Sequence, residues 1–230
     1  MSRRADVLEA LGRVRDPELD ESIVELGFLA SLEVSEDRSV EVHLRLPTPQ
    51  CAPNFAFLMA AEARGEVAAL AGVGEVRIVL DDHYTGAEIN RALADGEEFA
   101  AAFPGETQGE LAALRTLFRR KALAGREARL CEELRSAGNG PEAICAMRIS
   151  ELPDTAEARR CRELRSELGM ACGPDSPALV AGDGSAIAPG MLDRWHRKAR
   201  LMSLSLESNG EICRSLVAIR YPQSKEEALA

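Results

Sequence analysis

The sequence predicts an α+β fold, with a small N-terminal α-β-β-α-β domain followed by a mainly α-helical C-terminal domain. Three observations predict it. Two runs of alternating apolar residues are joined by a polar turn, apolar runs with helical spacing flank them, and only helical spacing recurs after about residue 106. We therefore expect one domain at residues 1–100 and a second at 106–230, joined by a linker near residues 103–108.

The first domain begins with a helix and a hairpin. Apolar residues within 7–14 fall on one helical face, and Asp16-Pro17 ends this helix because a residue before proline avoids the α region. Residues 31–34 and 40–46 alternate in polarity and are separated by the polar segment SEDRS, which predicts a hairpin.

A second helix and a third strand complete the first domain. Apolar residues between 55 and 70 follow the helical period, and Gly72 and Gly74 end that helix. Residues 76–80 alternate again as a strand. The helices are expected to cover one face of the sheet.

The second domain contains a repeated segment. EARLCEELRS at 127–136 and EARRCRELRS at 157–166 match at eight of ten positions, which predicts two similar helices packed as a pair. In each copy a cysteine, Cys131 or Cys161, precedes a leucine by three residues. This spacing is typical of a helix core.

Composition excludes several classes of protein. The first 100 residues hold 9 Lys and Arg against 20 Asp and Glu, and the remainder holds 19 against 18, so nucleic acid is not expected as a partner. No apolar run approaches the ~20 residues of a membrane span, so no membrane partner is expected. Six cysteines without close pairs, and no signal-peptide pattern, favour free thiols in the cytoplasm.

One cysteine has an unusual position. In LRLPTPQCAPNF, Cys51 lies between the end of a strand and the start of a helix, where free backbone N–H groups and the helix dipole favour a thiolate. Pro49 and Pro53 stiffen this turn. A thiolate held there suits a nucleophile, a redox thiol or a soft metal ligand, and the alternative is a buried cysteine that fills a gap.

Other side chains could contribute to a site. His83, beside two aspartates, is either a nitrogen ligand or a surface histidine. The acidic residues between 16 and 21 are either hard oxygen ligands or a solvated loop. Cys131, Cys161 and Cys213 either converge as a metal-thiolate group or belong to the core.

Three segments of the first domain carry a resemblance to a known family. VRDPELDESIVELGFLASLEV, VEVHLRLPTPQCAPNFAFL and VAALAGVGEVRIVL contain an Asp-Pro-Glu after the first helix, a Leu-Gly before the first strand and a Thr-x-x-Cys turn that starts at Thr48. In this order, over roughly residues 1–85, they resemble the small iron-sulfur cluster assembly domain of SufT-type and PaaD-type maturation proteins. The helical extension is not part of the resemblance.

The resemblance implies a function and a set of site residues. Cys51 would handle iron or an iron-sulfur cluster transiently, with Asp16 and Glu18 near it. Two departures exist: Ala52 separates Cys51 from Pro53, where family members often place proline directly after cysteine, and the chain has no CxxC pair. The second departure excludes a PaaD-type cysteine-rich tail and argues against a self-contained tetrahedral site.

These points lead to a metallocluster maturation factor, not an enzyme. Its expected partners are a client metalloenzyme or other iron-sulfur assembly proteins, with the helical extension recognising the client and a homodimer left open. The client is expected to be a bacterial monooxygenase system with a diiron or iron-sulfur component, although nothing in the sequence identifies it.

Two alternatives belong to other classes. One is a thiol-redox enzyme that uses Cys51 as its nucleophile, and the other is a protein-protein adaptor without metal. The chain has no Walker loop, dinucleotide fingerprint, HExxH or GxSxG motif, which leaves ordinary enzyme classes without support.

Overall fold

The structure, a computed structural model, describes residues 3–105 and 110–222. The expected linker therefore lies partly outside the described residues. The chain forms two compact units: the first contains the residues up to 111 and those from 209 onward, and the second contains residues 112–208. The first unit thus includes a C-terminal segment that the sequence assigns to the helical domain.

The first unit has the predicted order of helices and strands and adds two short helices after it. Its elements are α1 (Arg3–Arg13), β1 (Leu29–Val34), β2 (Val40–Arg45), α2 (Pro53–Ala68), β3 (Val76–Asp81), α3 (Gly86–Asp95) and α4 (Phe99–Ala102). The α+β fold class is confirmed.

The three strands form one sheet in the order β1-β2-β3. β1 and β2 pair antiparallel as the predicted hairpin, with Leu32 opposite Val42. β2 and β3 pair parallel, with Val42 opposite Ile78, and α2 makes the crossover. Because parallel strands end at the same edge of a sheet, the segments after Arg45 and Asp81 adjoin each other.

The two faces of the sheet differ in polarity. Val40, Val42 and Leu44 are buried against the helices, as their alternation predicts. On the opposite face, His43 lies between two carboxylates, with Nε2 2.9 Å from Glu41 and Nδ1 3.1 Å from Asp81. Burial opposes protonation of His43, but these hydrogen bonds outweigh it and raise its pKa.

The second unit is mainly helical, which confirms the prediction, although residues 168–188 are not helical and take part in isolated β-bridges. Its elements lie within α5 (Glu110–Ser136), α6 (Pro141–Ala146), α7 (Ala156–Glu167) and α8 (Leu192–Arg220), with 3-10 turns at Ile149–Glu151 and Pro189–Met191. Among the described helices, none combines the length and apolar character that crossing a membrane requires.

The two repeated segments lie on α5 and α7, and they pack as the predicted pair. Arg165 of α7 donates to Glu127 of α5 at 2.7 Å, and Arg129 of α5 donates to Glu157 of α7 at 2.9 Å. The ion pair between Arg165 and Glu127 is buried, with side chains 1% and 2% exposed. The first glutamate of each repeated segment thus accepts from an arginine of the other segment.

Candidate functional site

Cys51 lies in a short turn between the end of β2 and the start of α2, as predicted. It is half-buried, and its sulfur lies 3.5 Å from the hydroxyl oxygen of Thr48. The Thr48 carbonyl accepts from the Cys51 N–H at 3.4 Å. Pro53 occupies the first turn of α2, where no intrahelical hydrogen bond is lost. The turn therefore presents a thiol beside a hydroxyl group.

The segment after β3 supports this turn. Nε2 of His83 donates to the Cys51 carbonyl at 2.8 Å, and the Tyr84 N–H donates to the Pro49 carbonyl at 3.0 Å. Nδ1 of His83 faces the N–H of Thr85 at 3.3 Å, and because an N–H only donates, the ring proton is placed on Nε2. Both nitrogens are thus engaged, and His83 positions the cysteine turn through its backbone.

Asp16 is buried in the loop that follows α1. Its Oδ1 accepts from the N–H groups of Glu18 and Leu19, both at 2.9 Å, which closes a turn around Pro17. Burial raises the pKa of Asp16 to about 6; the two N–H groups oppose this change, and the charges of Glu18 and Glu21 add to it. Asp16 therefore shapes its loop and titrates near pH 6, while Glu18 is exposed.

The raised pKa of Asp16 predicts a dependence of stability on pH. The folded state holds the proton up to about pH 6, whereas an unfolded aspartate releases it near 3.8, so this group lowers stability as the pH rises between these values. Asp16→Asn removes the charge and keeps the accepting oxygen. Relative to the wild type, the variant should gain up to about 3 kcal/mol of unfolding free energy between pH 4 and pH 7. Urea unfolding at both pH values measures the gain.

A matched control is Asp37→Asn. Hydrogen bonds from the side chain and the backbone of Ser39 lower the pKa of exposed Asp37, so its contribution has the opposite sign. An equal stability difference between Asp16→Asn and the wild type at pH 4 and pH 7 would contradict the assignment.

Cys213 belongs to the same unit as Cys51 and Asp16, which the sequence does not predict. Cys213 of α8 belongs to the first unit and packs against the same apolar core as Cys51. Burial, followed by the charges of Asp16 and Cys51, raises the pKa of Cys213 to about 11. In the sequence, the four-residue spacing of Cys213 and Val217 indicates that they share one apolar helix face. It does not identify the surface that this face covers.

Cys213 belongs to the first unit, and Cys131 and Cys161 belong to the second. The last two are buried in the apolar core of the second unit, and burial raises the pKa of both thiols. They are therefore placed as core residues. Within residues 3–105 and 110–222, no three histidine, cysteine or acidic side chains are arranged to hold a metal ion together.

Thiol reactivity should distinguish Cys51 from the other cysteines. Only a thiolate reacts with iodoacetamide. Burial raises the pKa of four cysteines: Cys131, Cys145, Cys161 and Cys213. Between Cys51 and Cys172, we expect Cys51 to react first, because the Thr48 hydroxyl can donate to the developing sulfur anion. Peptide mapping after brief labelling near neutral pH measures the order, and faster labelling of any other cysteine contradicts it.

The fold and the cysteine turn agree with the result of a comparison with known families. A family model described as "Iron-sulfur cluster assembly protein" matches residues 4–78, which include Asp16, Glu18 and Cys51. The chain belongs to this iron-sulfur cluster assembly protein family, as the resemblance predicted. It is also 34% identical over 97 residues to the uncharacterized protein MJ1129 of Methanocaldococcus jannaschii, a match that takes in all of that protein and 42% of this chain.

The matched region has a clear limit. It ends before His83 and before Cys213. The structure therefore adds two features to the matched region. One is the hydrogen bond by which His83 supports the cysteine turn, and the other is Cys213 in the C-terminal segment.

Proposed function

We propose that this protein is an accessory assembly factor that accepts iron or an iron-sulfur cluster at Cys51 and passes it to a client metalloenzyme or another assembly protein. The observation that carries the proposal is the position of Cys51. It is a half-buried thiol on a turn that a hydrogen bond from His83 supports, within the region that matches the family. Iron and the cluster are cargo in this scheme, and the protein is not a catalyst.

Each residue around Cys51 has a separate role in this scheme. Its sulfur is a soft ligand of the kind that iron-sulfur clusters prefer. Thr48 lies within reach of that sulfur and can donate to it as a thiolate. His83 holds the Cys51 carbonyl, which fixes the turn and leaves the sulfur as the cargo ligand. Asp16 and Glu18 supply negative charge that favours a cationic cargo.

The remaining parts of the scheme rest on the organisation of the chain. The second unit, residues 112–208, would recognise the client, because the matched region leaves it unassigned. The proposed client is a bacterial monooxygenase system with a diiron or iron-sulfur component, and the proposed compartment is the cytoplasm. A homodimer is also part of the proposal.

Cargo uptake by the full chain tests the proposal. The protein is purified without oxygen, incubated with ferrous iron and sulfide, desalted, and assayed for bound iron and acid-labile sulfide. We expect uptake by the wild type and a loss of at least tenfold in Cys51→Ser, because a serine hydroxyl stays protonated at neutral pH. Cys172→Ser is the matched control, since Cys172 is also half-buried but lies in the second unit.

The alternatives give different results. Equal uptake by Cys51→Ser and the wild type would remove Cys51 from the proposal. A thiol-redox enzyme would take up neither iron nor sulfide and would form a sulfenic acid at Cys51 with peroxide. An adaptor would do neither, and a lowered melting temperature in Cys51→Ser would then assign the thiol to packing.

A further inference from the structure

The turn that holds Cys51 has few backbone donors of its own. Pro47, Pro49 and Pro53 have no N–H group, so they cannot donate a backbone hydrogen bond to any neighbour. A turn rich in proline is therefore held mainly through its carbonyl oxygens, which need donors from elsewhere in the fold. The donors that contact these carbonyls determine how firmly the cysteine is positioned.

Arg220, the last residue of α8, is such a donor. Its Nη1 donates to the Pro47 carbonyl at 2.9 Å and to the Leu46 carbonyl at 3.3 Å, and its Nη2 donates to the carboxylate of Asp82. Asp82 directly follows β3 and precedes His83. One guanidinium group therefore joins the segment that leads from β2 into the cysteine turn to the segment that leads from β3 to His83.

Tyr221, the next residue, contacts the ends of the same two strands. Its hydroxyl donates to the Asp82 carboxylate at 2.7 Å, and the guanidinium of Arg45 lies over its ring, 5.2 Å from the centroid. Arg45 is the last residue of β2, and its Nε lies 3.6 Å from the carboxylate of Asp81, the last residue of β3. Tyr221 therefore supports the junction that Arg220 makes.

The two joined segments determine the surroundings of Cys51. The segment after Asp82 contains His83, which donates to the Cys51 carbonyl at 2.8 Å. The segment after Pro47 contains Thr48, whose hydroxyl oxygen lies 3.5 Å from the Cys51 sulfur. A shift of either segment relative to the other would lengthen one of these contacts. The geometry of the thiol thus depends on the contacts that hold the two segments together.

We infer that Arg220 is a positioning residue for Cys51, acting through its hydrogen bonds to the two segments, with Tyr221 as its assistant. This inference rests on the proposed function, and both residues lie outside the matched family region. Arg220 does not bind the cargo. It holds the turn in one conformation before the cargo arrives, so that less ordering accompanies binding.

Hydrogen exchange of the full chain, measured by mass spectrometry, tests the positioning. Arg220→Met keeps a long apolar side chain and removes every donor. We expect the peptides that contain Cys51 and Tyr84 to exchange about tenfold faster in this variant, because charge-assisted hydrogen bonds to the turn are lost. The matched control is Arg214→Met, since Arg214 is anchored in the same C-terminal segment by an ion pair with Glu21, away from the turn. It should leave both peptides unchanged.

Retention of cargo separates a positioning residue from a ligand. The wild type and the variants are loaded with ferrous iron and sulfide without oxygen and are then mixed with an iron chelator. At saturation, Arg220→Met should take up as much iron as the wild type but should lose it to the chelator about fivefold faster. Cys51→Ser should fail at uptake itself, and Arg214→Met should retain iron as the wild type does.

Folding is checked by circular dichroism melting of each variant. If Arg220→Met is unfolded, Tyr221→Phe takes its place, because it removes only the hydroxyl group that donates to Asp82. Faster exchange of the Cys51 peptide and faster loss of iron are then expected in Tyr221→Phe, with Arg214→Met again as the control.

The outcomes separate the inference from the proposed function. Wild-type exchange and retention in Arg220→Met, with loss of uptake in Cys51→Ser, overturn the role of Arg220 and leave the proposed function in place. Equal changes in Arg220→Met and Arg214→Met also overturn it, because they indicate a general loosening of the C-terminal segment. Full uptake by Cys51→Ser overturns the proposed function, whereas the exchange measurement still decides whether Arg220 holds the turn.

Discussion

Residues 1–105 produced without the rest of the chain are expected to fold, but with an unfolding free energy about 3–5 kcal/mol lower than when residues 209–222 are present. Burial of Val217 contributes about 1.5–3 kcal/mol, and the uncovered surface near Cys213 and Tyr221 adds to the loss. Domains of this size have about 5–15 kcal/mol in total, so a fragment that loses about 3–5 kcal/mol should remain folded over all but the lowest part of that range. We therefore predict that residues 1–100 fold alone, but with a lower unfolding free energy than the complete first unit.

A peptide in trans measures this effect. The fragment is unfolded in urea with and without a synthetic peptide of residues 209–222. The peptide should raise the urea midpoint, and the increase should grow with the logarithm of peptide concentration above the Kd. The control peptide carries Val217→Asp, which would bury an unpaired charge. If the two peptides act alike, or if neither acts, the C-terminal segment does not complete the core of the first unit.

Replacement of Arg165 by leucine is expected to lower the unfolding free energy by about 3–5 kcal/mol, because it leaves Glu127 buried without its partner. Arg165 also donates to the carbonyls of Pro177 and Ala178, which lose a donor. Burial already raises the pKa of Glu127 to about 7 with the arginine present. Without Arg165, the Glu127 carboxyl group should be protonated at neutral pH, which limits the loss of unfolding free energy.

The internal repeat provides the control for this variant. Arg135 occupies the position equivalent to Arg165, but its ion pair with Asp193 is exposed, so Arg135→Leu should cost about 1 kcal/mol or less. The double variant Glu127→Leu/Arg165→Leu should recover part of the loss, since no buried carboxyl group is then left without a partner. Chemical unfolding of the full chain measures all three variants, and equal losses in Arg165→Leu and Arg135→Leu would contradict the argument.

Much of the first unit could be predicted from the sequence because its signals are local. The alternation in residues 40–46 predicts β2 and the face it buries, and the position of Cys51 after it predicts a turn at a helix start. The family could be recognised for the same reason, since its motifs lie within one continuous region.

The contacts around the cysteine turn could not be predicted in the same way. Helical periodicity shows that Val217 lies on an apolar face, but it does not identify the core that this face covers, whose other buried residues lie between Val7 and Ala102. The role of His83 depends on the parallel pairing of β2 and β3, which places its segment beside Cys51. A strand pattern alone does not specify whether the pairing is parallel or antiparallel.

The division of the first unit along the chain has a consequence for synthesis on the ribosome. The segment that covers part of its core begins at residue 209, 98 residues after residue 111 closes the first part. At roughly 5–20 residues per second, translation of that interval takes about 5–20 s. During this time the nascent chain presents the surface around Cys51 without residues 209–221. The apolar surface that Val217 covers in the complete unit is therefore open to chaperones that bind such surface before the polypeptide is released.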